Sequence, residues 1–118
     1  MNQVNLMGRL TKDPVIKYSG MAEPLAITSY TLAVDRSISR ERRNAGEQSA
    51  DFISCTAFGK SAEFVEKYFR KGMMVGVGGR LQVKSYEDSE GQRRWITEVV
   101  TDSHHFAGDK RGFTDEPS

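Results

Sequence analysis

With 118 residues the chain is long enough for one domain with a buried core, and its 17 basic and 16 acidic side chains leave a net charge of only +1. That balance excludes a strongly basic chain that holds polyanions by bulk charge alone, and the N-terminus lacks an apolar run long enough for a signal peptide or a membrane span. The lone cysteine, Cys55, has no partner for an internal disulfide, which fits a cytoplasmic setting.

Residues 3–10 alternate well enough for a strand, with Val4, Leu6 and Leu10 on one face. Gly8 lies between them, where a sheet that curls towards a barrel would bend. Thr11-Lys12-Asp13-Pro14 turns the chain, Val15 to Tyr18 resumes the strand, and Ser19 to Pro24 turns again. From Leu25 to Arg36 a half-buried strand is expected, with Tyr30, Leu32 and Val34 on one side and Ser29, Thr31 and Asp35 on the other. Residues 37–49 follow no period and end near Asn44-Ala45-Gly46, a hairpin tip. Arg36, Arg40, Arg42 and Arg43 gather here. Either they track phosphates, or Asp35, Glu41 and Glu47 balance them in a solvated loop.

Asp51 to Lys60 is the most informative stretch. It is a strand on which Ile53, Cys55 and Ala57 share a small apolar face suited to a core. Phe52, Ser54, Thr56 and Phe58 share the other. Two rings among hydroxyls suit neither a dry core nor an ordinary wet surface, but they suit stacking on nucleic-acid bases. A second small core or an oligomer contact is the alternative.

Ser61 to Lys71 is predicted to be a helix that plugs one end of the sheet. Phe64, Val65, Tyr68 and Phe69 form its core face, Ser61 its cap, and Gly72 its end, with Arg70 and Lys71 in the last turn. Met73 to Tyr86 is the longest predicted strand. Met73, Val75, Val77, Leu81 and Val83 are expected inside, and Gly76, Gly78, Arg80, Gln82, Lys84 and Tyr86 outside. Asp88-Ser89-Glu90-Gly91 turns a hairpin into a last strand, Arg93 to Thr101, whose periodicity leaves the side of Trp95 open. The sequence thus predicts an all-β domain over residues 1–106, a five-stranded OB-fold barrel with one α-helix between strands three and four. Residues 107–118 form a short disordered tail.

Taken together, the outward faces put Phe52, Phe58 and Tyr86 beside Arg80, Gln82 and Lys84, with the loop arginines nearby. That combination is a stacking platform with an electrostatic track, suited to single strands and indifferent to base identity.

The residues also carry a family resemblance. Leu6-Met7-Gly8-Arg9-Leu10-Thr11-Lys12-Asp13-Pro14, Thr31-Leu32-Ala33-Val34 and Phe58-Gly59-Lys60-Ser61-Ala62-Glu63 resemble motifs of bacterial single-stranded DNA-binding proteins. So do Tyr68-Phe69-Arg70-Lys71-Gly72, Gly79-Arg80-Leu81 and Thr97-Glu98-Val99-Val100, in the same order across residues 2–101. The resemblance implies an OB fold, usually a homotetramer, that wraps single-stranded DNA in replication, recombination and repair at the bacterial nucleoid. It puts the stacking aromatics on Phe52, Phe58 and Tyr86. Where many members have a further aromatic this chain has Ile38, a weaker apolar contact. Phosphate and polar contacts are expected from Arg36, Arg40, Arg42, Arg43, Lys60, Arg80, Gln82 and Lys84. Members typically end in an acidic tip with Pro-Phe that recruits repair and replication enzymes. This chain stops at Asp115-Glu116-Pro117-Ser118, as a truncated sequence or a short plasmid or phage paralogue would, so recruitment through the tip is not carried over.

No cofactor, metal or catalytic site is expected. His104 and His105 are adjacent on a strand and point apart, and Cys55 lies in the expected core without a histidine partner. Gly76-Val77-Gly78-Gly79 lacks the Lys-Ser/Thr of a phosphate loop, and Asp51, Glu87, Asp88 and Glu90 do not converge as a nuclease site would. The rival readings are a protein–protein module of the primosome or assembly type and an OB-fold nuclease.

Overall fold

Five strands of this chain join edge to edge until the last meets the first, in a computed structural model that describes residues 1–20, 22–37, 41, 44–46 and 48–108. In chain order the strands are β1 (Val4–Leu10), β2 (Val15–Ser19), β3 (Leu25–Asp35), β4 (Ala50–Phe58), β5 (Met74–Glu87) and β6 (Arg93–Phe106). Helix α1 (Lys60–Tyr68) lies between β4 and β5. The order round the ring is β1, β5, β6, β4, β3, and β3 returns to β1 through Arg9↔Ala33 and Leu10↔Leu32. Every pairing is antiparallel except β4 with β6. The sixth strand, β2, resumes β1 after the turn at residues 11–14 and pairs with β3 from Val15↔Ser29 to Ser19↔Leu25. The ring is therefore the expected five-membered OB arrangement, with its first strand broken once.

Alternation sorts the side chains as expected in the body of the ring. Leu10, Tyr30, Leu32, Cys55, Ala57, Val75, Val77 and Val99 are buried. Helix α1 closes one end with Ala62 and Val65, and Phe69 follows them into the core, its ring edge-on to Tyr30 at 6.0 Å between centroids. Burying a side chain such as Phe69 or Leu32 contributes about 1.5–3 kcal/mol. The buried hydroxyls are satisfied. Thr28 Oγ1 donates to the Ala62 carbonyl at 2.8 Å, and Tyr30 Oη and Thr101 Oγ1 share a hydrogen bond of 2.8 Å.

Several local expectations are corrected. The helix starts one residue earlier than predicted and is not capped by Ser61; Gly59, at φ 64°, takes the N-cap position without a side-chain bond. It also stops at Tyr68, because Phe69 is extended (φ −93°, ψ 139°). That break turns Phe69 inwards and leaves Tyr68 exposed against Phe64 and Phe106, so Tyr68 is not core. Arg70, predicted in the last turn, sits just beyond it, yet its Nη1 still donates to the carbonyls of Glu66 and Phe69 at the helix end.

Leu81 and Val83 keep the parity of the interior face but are exposed. The reason is length. β1 reaches along β5 only to Val4↔Gly79, and β4 meets β6 only at Cys55↔Val99 and Thr56↔Val100. Beyond those pairs β5 and β6 continue as a two-stranded arm, tied at its base by Asn2 to Leu81 and by Thr56 to Glu98 and exposed on both faces past them. The arm leaves the ring at a bulge, where Gly78 faces Ser103, Gly79 faces Thr101, and Asp102 is the extra residue. A Cβ on Gly79 would lie 1.9 Å from the Val100 carbonyl oxygen, so only glycine permits this approach. Finally, β6 runs on through Phe106 rather than ending at Thr101, and Phe106 packs against Phe64, Tyr68 and Phe69. Of the predicted tail, residues 109–118 lie outside the described residues.

Candidate nucleic-acid interface

The outward faces of β4 and of the arm form one wall. On β4, residues two apart share a face, so Phe52, Ser54, Thr56 and Phe58 look the same way. On β5 the same rule groups Arg80, Gln82, Lys84 and Tyr86. Their cross-strand partners Val100, Glu98, Ile96 and Arg94 stand beside them. The two groups are joined where Thr56 Oγ1 donates to Glu98 Oε1 at 2.8 Å. Phe52 is 64% exposed, Phe58 37% and Tyr86 46%, so all three rings are open to a ligand. Phe52 and Phe58 are six residues apart on one strand, a span of about 20 Å.

The wall is concave. Between Ile27↔Phe58 at one end and Asp35↔Ala50 at the other, β3 presents the small side chains Ser29, Thr31 and Ala33 beside β4, through the pairs Ser29↔Thr56, Thr31↔Ser54 and Ala33↔Phe52. These small side chains leave a groove of about 280 Å³, lined by Val15, Ser29, Thr31 and Ser54 on one flank and by Ile96 and Glu98 on the other. Tyr86 lies further out on the arm, on the Ile96 side.

The predicted polar contacts divide. Lys60 opens α1 and is exposed, and Arg80 is exposed on the wall. Lys84 is on the wall but engaged, its Nζ 3.2 Å from Glu98 Oε2, and Gln82 Nε2 donates to the same oxygen at 3.2 Å. Arg36 is paired with Asp51, Nη2 to Oδ1 at 2.8 Å, and its backbone N–H donates to the Ser49 carbonyl. Ile38, Arg40, Arg42 and Arg43 lie outside the described residues.

Sequence reasoning missed three members of the wall. Glu98 reads as one polar residue in a strand, and nothing local reveals that it is buried between Thr56, Gln82 and Lys84. Ile96 and Arg94 follow from the hairpin register, which the turn at Asp88–Gly91 implied and which would have found them. The tip itself is built by Asp88. Its Oδ1 accepts the N–H groups of Glu90 and Gln92 at 2.9 Å, and its Oδ2 accepts Arg94 Nε at 2.9 Å. The Gln92 N–H and then the Arg94 guanidinium hold this carboxyl below its usual value.

Two titratable groups near the core play no part in the wall. Burial, and then the charge of Glu98, push the Cys55 thiol up to about 12, which leaves it inert as a nucleophile. His104 is half-buried against Phe64 and Phe69, and its Nε2 lies 2.9 Å from Thr101 Oγ1. Desolvation lowers its pKa, Asp102 opposes that shift, and His105 adds to it.

A ring of strands with this wall is matched in known proteins. Residues 1–107 fit the profile described as the Single-strand binding protein family. The chain belongs to that family. Among its curated relatives, a Bacillus cereus single-stranded DNA-binding protein is 42% identical over the whole of this chain, which covers 71% of the relative. Listeria monocytogenes single-stranded DNA-binding protein 2 is 45% identical over 90% of this chain and 63% of its own length. Clostridium acetobutylicum single-stranded DNA-binding protein 3 is 45% identical over 90% of this chain and 70% of its own length.

Proposed function

We propose that this protein binds single-stranded DNA without regard to sequence and protects it in replication, recombination and repair. The observation that carries this reading is that Phe52, Phe58 and Tyr86 stand exposed on the outward faces of β4 and β5, the two strands joined by Thr56 and Glu98. Stacking contributes about 1–3 kcal/mol per base and accepts any base, since each has a π-face. Lys60, Arg80 and, when it leaves Glu98, Lys84 supply phosphate contacts, and Arg36, Arg40, Arg42 and Arg43 are assigned the same role from the sequence. The protein works as a binder and not as an enzyme, in the bacterial cytoplasm, through a domain of residues 1–106.

Self-association into a homotetramer belongs to the same proposal. β1 pairs with β3 only at Arg9 and Leu10, so residues 4–8 leave a strand edge open on that side, with exposed Met7 on it.

Equilibrium binding to oligo-dT and to a duplex of equal length, each across a salt series, tests the function. Tight oligo-dT binding that weakens with salt, with little affinity for the duplex, is expected. Equal affinity for both, or none for either, contradicts it.

A further inference from the structure

Resting on the single-strand reading above, we propose that the reverse face of the β5–β6 arm is a second base-stacking site for the same strand, with Trp95 as its platform and Arg93 as its phosphate contact. Cross-strand partners share a face, so Trp95 stands with Ser85, and Val83 with Thr97, on the side opposite Tyr86. Trp95 is 67% exposed, slightly more than Phe52, and is the only tryptophan of the chain. Leu81 and Val83, also exposed, extend an apolar shelf from it towards the ring.

The charge beside this ring points to a polyanion. Arg93 stands opposite Glu87 in register, yet its Nη1 donates to Ser85 Oγ at 3.2 Å. Ser85 is the cross-strand partner of Trp95, so the guanidinium turns along the arm to the row of the indole. On the other face the matching cation, Arg94, is spent on Asp88. A ring with a cation held in its row is the pairing that binds one nucleotide by its base and its phosphate. The route is short. Asn2 covers the β5 edge at Leu81, but past Leu81 on β5 and before Glu98 on β6 neither strand pairs with a further strand among the described residues, so a strand leaving Tyr86 passes round an open edge of an arm only two strands wide.

The test uses the full chain and two end-labelled probes, dT of about 6 and of about 30 nucleotides, read by anisotropy and by the emission of Trp95. Both probes should bind, but only the long one should quench Trp95. Trp95→Ala should weaken the long probe by about five- to tenfold and leave the short one unchanged, with Trp95→Phe restoring most of the loss. Long-probe binding that leaves Trp95 emission and the Trp95→Ala affinity unchanged overturns the second site while the wall stands. If neither probe binds, the single-strand reading itself fails and this site with it. Trp95 that is already shielded from acrylamide without DNA, in a particle whose mass falls on Trp95→Ala, assigns the face to a second copy of the chain and overturns the proposal.

Discussion

Thr56 and Glu98 tie the arm to the ring: the hydroxyl of Thr56 donates to Glu98 Oε1 at 2.8 Å, at the point where β4 and β6 share only two pairs. The other carboxylate oxygen meets Lys84 at 3.2 Å. The buried acid is explained by what it does for the arm, and in the proposed single-strand reading it has a cost, because it holds the Lys84 cation away from a bound phosphate. Glu98→Gln keeps an acceptor for Thr56 and releases Lys84. Oligo-dT should bind this variant more tightly, with log affinity against log salt steeper by about 0.7. Titrations at four or five salt concentrations read both numbers. An unchanged slope means that Lys84 makes no phosphate contact.

Gly79 tests the bulge. An added Cβ meets the Val100 backbone and not a yielding side-chain end, so the two strands must separate. Gly79→Ala should lower stability by about 1–3 kcal/mol, measured by urea unfolding. Gly46→Ala, with nothing near its Cβ, controls for the generic effect of losing a glycine, although its φ of 89° adds some strain.

The arm's tip should loosen in acid. The Asp88 carboxyl lies below its ordinary value of 3.8 in the folded chain, so its contribution is complete above that value and is lost as pH falls through the lowered one. Amide exchange at Glu90 and Gln92 should rise below about pH 4 relative to the ring. In Asp88→Asn the acid step at these two amides should vanish. Persistence of the step would assign it to another group.

Cys55 gives the opposite dependence. Its thiol titrates at 9.0 when unfolded and at about 12 when folded, so the unfolded chain loses the proton first. Stability from this group is therefore full below about pH 9 and declines as pH rises towards 12. Iodoacetamide at pH 8 should leave native Cys55 unmodified and label it promptly in urea. Rapid native labelling would contradict its burial.

Much of this was legible in the sequence, for identifiable reasons. The two-residue period of β4 separates Cys55 and Ala57 from Phe52 and Phe58, because a strand in a closed ring has one dry face and one wet one. The same rule misplaced Leu81 and Val83, since period gives a side and not what covers it, and the arm outruns the ring. Tyr68 was misread because a helical period continues on paper past the point where Phe69 becomes extended. Glu98 was invisible because its three partners come from two other strands, 14 to 42 residues away or nearby in space only through the arm's register. The exposure of Phe52 and Phe58 followed from the hydroxyl-and-ring pattern of β4, whereas the stacking roles proposed for them and for Tyr86 rest on that pattern together with the family motifs.

The central claim is that a single strand is held by rings on one concave wall. The most direct measurement is the affinity of Phe52→Ala, Tyr86→Ala and the double variant for oligo-dT at one fixed salt concentration, with folding checked by circular dichroism. Each single change should cost about 1–3 kcal/mol, and the double change should cost more than either. Folded variants that bind as tightly as the parent would contradict the account.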